Sequence, residues 1–147
     1  MQGPSHRLFN GTFAVVLFLK LCHLYIIESY IISLCTILFS SFPDSIERFG
    51  LKHRGTSHSL LLYGGLLCLS WVGLLYCSST LYWTSCFVVG LSCASLLHIV
   101  ADMFSSNGIR LFNQSIKFGL YTTGKQSEQI FLLVCILTIV SVAYLTK

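Results

Sequence analysis

The chain has 147 residues, of which 54% are hydrophobic and only 10% charged, with a net charge of +4 and a mean hydropathy of +0.78. Soluble domains carry about 25% charged residues, so an ordinary soluble domain is excluded; two prolines and no polar low-complexity run exclude a disordered chain. The small, dispersed positive charge excludes nucleic-acid binding and leaves the basic residues as topology signals or contacts to phospholipid headgroups. The expectation is one integral membrane domain over 1–147, all-α, a polytopic transmembrane bundle of about 4–5 membrane helices.

The first apolar region runs from Thr12 to Phe42. As one helix it would be roughly 46 Å long, against a hydrocarbon core of about 30 Å. It either tilts and protrudes or breaks near Glu28-Ser29 into a helical hairpin. Lys20, His23 and Glu28 interrupt its hydrophobicity; intramembrane ionisable groups are functional candidates by default, and the plainer reading is a snorkelling lysine and a histidine bonded to a neighbouring helix. A hairpin places His6 on the face of the other histidines, and a single pass places it opposite. Lys20 splits the early apolar run and no small-x-small site follows it, so this segment is expected to stay uncleaved.

Ser59 to Cys77 is almost unbroken apolar sequence, roughly 28 Å as a helix, and Tyr82 to Val100 is equally long. Ser78-Ser79-Thr80-Leu81 between them is a tight turn, so the two helices form a hairpin. That hairpin returns the Pro43–His58 and His98–Gly108 segments to one membrane face. A last aliphatic span, Ile130 to Tyr144, ends the chain. Arg48, Lys52 and Arg54 in one loop, and Arg110, Lys117 and Lys125 in another, put that face in the cytoplasm by positive-inside logic. All seven cysteines lie in apolar segments with no C-x-x-C, where cysteine serves as a small hydrophobe, reduced and structural. Gly64, Gly65 and Gly90 are close-packing positions that do not fix an oligomeric state.

The chemistry-bearing residues gather at the edges of these spans. His98 and Asp102 are spaced i, i+4 and stack on one helical face, and Gly90 and Ala94 continue that face as a smooth packing stripe. Packing of the hairpin brings His58 towards this pair. Asp44 lies in a loop opened by Pro43, with Glu47 and His53 nearby. Neutral imidazoles with carboxylates are the ligands of catalytic zinc, or of manganese or iron in more oxygen-rich sites. The alternative is a set of interfacial polar residues making interhelical hydrogen bonds.

Pro43-Asp44, His53-Arg54-Gly55-Thr56-Ser57-His58-Ser59, His98-x-x-x-Asp102 and Gly108-Ile109 together resemble the YdjM-like family of bacterial inner-membrane proteins, regarded as metal-dependent hydrolases and linked to LexA regulation. The resemblance covers the chain from the His6 region to Glu128. That family is in turn similar to zinc-dependent phospholipase C and the S1/P1 nucleases, which are all-helical and bind a zinc cluster. The similarity implies metal ligands at Asp44, His58, His98 and Asp102, with His6 matching an early histidine and Glu128 a late acidic residue. The late H-x-x-x-E pair of the phospholipase pattern is absent, which tells against a full trinuclear cluster, and the proline that often follows the Gly108 region is absent too. The implied activity is hydrolysis of a phosphoester in a lipid-like substrate at the cytoplasmic face of the bilayer. Arg54 would clamp the phosphate, and His53 would serve as leaving-group acid or as partner to a ligand. A metal-binding transporter and a non-enzymatic membrane assembly or stress factor are the competing readings.

Overall fold

The long apolar stretch that begins at Thr12 does not form one helix. The computed structural model describes residues 3–18, 26–47, 59–77, 80–111 and 114–145. Within them α1 spans Gly3–Val16 and α2 spans Ile26–Leu38. The two run antiparallel, because the Ser29 hydroxyl donates to the Phe18 carbonyl at 3.2 Å at one end, while Gly11 lies against Ile37 at the other. The break therefore precedes Ile26, earlier in the chain than Glu28-Ser29. On α1, His6, Asn10 and Ala14 recur every four residues and are all buried, so they form the stripe that faces the bundle.

A short helix α3, Phe42–Glu47, follows α2. Then α4, Leu60–Tyr76, and α5, Thr80–Met103, form the expected hairpin. Ser59, the last residue of the histidine-rich motif, is the N-cap of α4, its hydroxyl accepting the Leu62 amide at 3.2 Å. Gly73 gives α4 room against Ser85. The stripe of small residues on α5 serves a different neighbour from the one its place in the hairpin implied. Gly90 lies against Cys35 and Ile32 of α2, and the Ala94 carbonyl accepts from Asn10 Nδ2 of α1 at 3.0 Å. The stripe thus binds the N-terminal hairpin to α5, whereas a Cβ added at Gly64 or Gly65 of α4 would meet no neighbouring element within 4 Å among the described residues.

The segment after α5 has an architecture that its sequence did not announce. Strand β1, Ile109–Leu111, pairs antiparallel with β2, Gln114–Ile116, in the register Ile109 with Ile116. This ribbon and the chain after it fold back over the C-terminal end of α5 and cap the carbonyls that a helix leaves open. The Ala101 carbonyl accepts from the Tyr121 hydroxyl at 2.8 Å, that of Asp102 from the Ser105 hydroxyl at 2.8 Å, that of Met103 from the Phe118 amide and that of Phe104 from the Leu120 amide. Gly108 makes the return possible: its φ is +63°, and a Cβ there would run into the Ile116 carbonyl and Lys117. Gly108→Ala should cost about 1–3 kcal/mol through left-handed strain and the blocked approach, read as a lower midpoint of thermal unfolding in detergent. An unchanged midpoint would mean that the ribbon does not hold this end of α5.

Finally α6, Gln126–Leu145, packs alongside α1 and leaves most of its surface outward. Three small cores hold the bundle, around Ile32, Val89 and Cys93, around Phe9, Ala101 and Tyr121, and around Tyr63, Ile99 and Ile109. None of the six described cysteines forms a disulfide; Cys22 lies outside the described residues. Six helices are thus present among the described residues, of which α5 and α6 are long and apolar enough to cross a membrane, while α2 and α4 are shorter apolar helices. Leu61, Leu69, Val72 and Leu75 on α4, with Leu133, Val134, Leu137 and Val140 on α6, are exposed. Apolar patches that broad do not face water on monomeric soluble proteins.

Candidate metal centre

Four of the predicted ligands meet, or nearly meet, at one end of the bundle. His98 and Asp102 come from adjacent turns of α5, His6 from the start of α1, and Asp44 from α3. His6 Nε2 is 3.5 Å from Asp102 Oδ1; His98 Nε2 is 3.6 Å from Asp102 Oδ2 and 3.3 Å from Asp44 Oδ1. Asp102 therefore turns one oxygen towards each imidazole. Donor atoms of His6, His98 and Asp102 all fall within 4.8 Å of one another. The three side chains are buried, while the Asp44 side chain is 48% exposed and forms the open side of the cluster.

Hydrogen bonding fixes what these atoms can do. His98 Nδ1 lies 2.7 Å from the Ser40 carbonyl, just beyond α2. A carbonyl only accepts, so Nδ1 carries a proton and donates. In the neutral ring Nε2 is then a lone pair, and it faces two carboxylate oxygens. Lone pair and anions repel, so a cation belongs among them, either a second proton on His98 or a metal ion. The His6 ring stacks on that of His98 with centroids 3.8 Å apart and planes 16° apart. Two imidazolium rings at that distance would repel by about 4 kcal/mol even at an effective dielectric of 20, a cost that only the neighbouring carboxylates could offset. His6 is buried, and among the described residues neither of its ring nitrogens completes a hydrogen bond, so its ring has lone-pair density to offer.

The spacing suits a small divalent ion. Bonds of about 2.0–2.2 Å in a tetrahedron place neighbouring donors about 3.3–3.6 Å apart, which is the range of the three contacts above. Two imidazoles and one or two carboxylates form the donor set of catalytic zinc, and of manganese or iron sites. A family model described as YdjM inner membrane protein matches residues 3–147. The chain belongs to the YdjM inner membrane protein family. No curated protein and no solved structure matches it.

Within this member of the family, one other predicted ligand is placed outside the cluster. Glu128, in the first turn of α6, is buried, but its Oε2 accepts the Gly124 amide at 2.6 Å. It secures the turn into α6, where Gly124 has a φ of +77°, and it is not in the group formed by His6, His98 and Asp102. His53, Arg54 and His58 lie outside the described residues. Sequence reasoning missed Ser40, which acts through a backbone carbonyl and so leaves no signature in residue type. It also missed Asn10, one turn after His6, whose amide donates to α5 and sets the height of α1 at the cluster. A buried asparagine four residues from a histidine on an apolar helix was the signal available.

Proposed function

We propose that this protein is a multi-pass membrane hydrolase that uses a divalent metal, zinc first and manganese or iron as alternatives, on a phosphoester of lipid-like character at the cytoplasmic face. In this reading the α1–α2 hairpin, α4, α5 and α6 together make up the 4–5 membrane helices. The observation that carries it is the tautomer of His98: the Ser40 carbonyl turns its lone pair onto the oxygens of Asp44 and Asp102. His6, His98 and Asp102 would hold the ion, with Asp44 on its open side and His58 as a further ligand. A divalent ion in such a site supplies Lewis acidity and makes hydroxide available near neutral pH.

The chain's own residues define the rest of the chemistry. Ser40 and Asn10 hold the two imidazoles in place, and the buried Asp102 links them. Asp44, half in solvent, is positioned to accept a proton from an incoming water or to orient it. Arg54 is assigned to the phosphate, for which a guanidinium is well shaped, and His53 to the leaving group; both assignments rest on the sequence motif. The test is release of phosphorylated headgroup from phospholipid vesicles by metal-loaded protein, compared with chelator-treated protein and with Asp44→Asn. Activity should require metal and fall in the variant by at least the 10–100-fold that loss of even an outer ligand partner costs. A stoichiometric metal with no turnover on any phosphoester would leave a binding or assembly role in its place.

One observation favours metal transport as a second reading. At the far end of α5, Glu28 is buried and accepts the Tyr82 hydroxyl at 2.9 Å. Sixteen residues separate Tyr82 from His98, roughly 24 Å along the helix. Between these levels, however, lies the apolar core of Ala14, Phe18, Ile32, Cys86 and Val89. Gly90 there is packed directly on the backbone of α2. That plug separates Glu28 from the cluster. Glu28→Gln should therefore leave metal content and hydrolysis unchanged; loss of metal uptake into vesicles in this variant would favour transport.

A further inference from the structure

Arg7 is adjacent to His6 but turned about 100° around α1, so one side chain is buried in the cluster and the other exposed. The ion pairs among the described residues join His6, His98, Asp44 and Asp102, and Arg7 takes part in none of them. It stands instead at one end of an open groove of about 720 Å³. Among the described residues the walls are Leu8, Gly11, Thr12, Val15 and Val16 of α1, Ile37 of α2 and Val140 of α6, none of them acidic. Gly11 makes the floor, because a Cβ there would press on Ile37 at 2.9 Å. From Arg7 to Val16 the groove follows α1 for roughly 14 Å, starting at the level of the metal cluster and running into the apolar part of the bundle.

We infer that this groove is a binding site for an anionic phospholipid, with an acyl chain between α1 and α6 and the headgroup phosphate on Arg7. The charges and polarity match along its length: the Arg7 guanidinium, which takes part in no ion pair among the described residues, stands at the headgroup level, and apolar or small side chains follow below it, Thr12 the one hydroxyl among those described. Guanidinium meets phosphate in a bidentate fork. The basic residues Lys117 and Lys125 belong to the same end of the molecule, and anionic lipid is concentrated in the leaflet that basic loops face. The site depends on membrane residence and not on the metal, so it stands or falls separately from the hydrolase reading.

The experiment places wild type, Arg7→Gln and Val15→Trp in phosphatidylcholine vesicles doped with phosphatidylglycerol carrying a photoreactive acyl chain. The label is mapped by peptide mass spectrometry, and lipid retained through detergent extraction is identified by headgroup. Wild type should label peptides containing Val15, Val16 and Val140 and retain phosphatidylglycerol over phosphatidylcholine by about fivefold, the contribution of one basic side chain at an anionic surface. Arg7→Gln, an exposed and unpaired position, should fold normally, retain its metal and lose the headgroup preference. Val15→Trp should lose groove labelling with either lipid. Undiminished preference in Arg7→Gln, or equal labelling of the exposed α4 leucines, would overturn the site in favour of non-specific annular lipid. Crosslinks between two copies through the groove would overturn it in favour of a dimer contact.

Discussion

Purified His98→Ala protein is expected to carry no bound divalent metal, whereas wild type retains a near-stoichiometric amount. His98 is the candidate ligand with most depending on it. Its Nδ1 is committed to the Ser40 carbonyl, its Nε2 meets both Asp44 and Asp102, and its face supports the His6 ring. Removing the imidazole leaves two carboxylates facing a cavity beside a histidine that has lost its stacking partner. Elemental mass spectrometry reads the metal directly. Thermal unfolding gives a second readout, because an ion bound at a thousandfold excess over its dissociation constant stabilises the native state by about 4 kcal/mol, roughly 10 °C for a chain of this size. Chelator should lower the wild-type midpoint by that order and leave the His98→Ala midpoint unmoved. If a second proton on His98 neutralises the two carboxylates instead, chelator will leave the wild type unmoved as well and neither protein will contain metal. That outcome would remove the metal reading entirely.

The site was legible in proportion to how far its geometry depends on local periodicity. His98 and Asp102 follow from an i, i+4 step on an unbroken helix, and their adjacency needs no tertiary information. Asp44 follows at second hand, from a hairpin that returns its segment to the same face. His6 hung on whether Thr12–Phe42 crosses once or doubles back, and hydropathy cannot decide that because the stretch is apolar on either path. What decides it is packing: Gly11 against Ile37 and Ser29 on Phe18 hold two antiparallel arms together. Glu128 was legible as a late acidic residue, but its bond to the Gly124 amide was not, since a carboxylate that secures a turn and one that binds an ion look alike in sequence. The β-ribbon was invisible for another reason. Its strands are three residues each, too short for alternation to register, and its stability comes from the carbonyls of α5 that it covers. The small-residue stripe announced close packing correctly, yet periodicity names a face and not the neighbour that fills it.

That neighbour sets up the second large effect, expected for Gly90→Val. A side chain at Gly90 would begin with a Cβ 2.5 Å from Cys35 Cβ and 2.9 Å from the Ile32 carbonyl oxygen. Cys35 Cβ is held by its own backbone and the carbonyl is backbone as well, so neither can rotate away and α2 must move outward as a unit. Thr36 bridges the same contact, its hydroxyl donating to the Ile32 and Gly90 carbonyls at 2.8 and 3.2 Å, so that link breaks as well. Overpacking of this kind costs about 1–3 kcal/mol. The larger consequence is at the site, because Ser40 rides on the end of α2 and its carbonyl fixes the His98 tautomer at 2.7 Å. A metal ligand that loses its outer partner binds about 10–100-fold more weakly, so Gly90→Val should release metal at free concentrations where wild type holds it, though residue 90 is two turns from His98. Gly65→Ala on α4 is the control, since a Cβ there would meet no neighbouring element within 4 Å among the described residues, and a helical alanine there should stabilise by about 0.5–1 kcal/mol. If the two variants bind metal equally well, the α2–α5 contact does not orient His98. If only Gly90→Val loses it, the close approach of α2 and α5 two turns away is what aims the imidazole at the cluster.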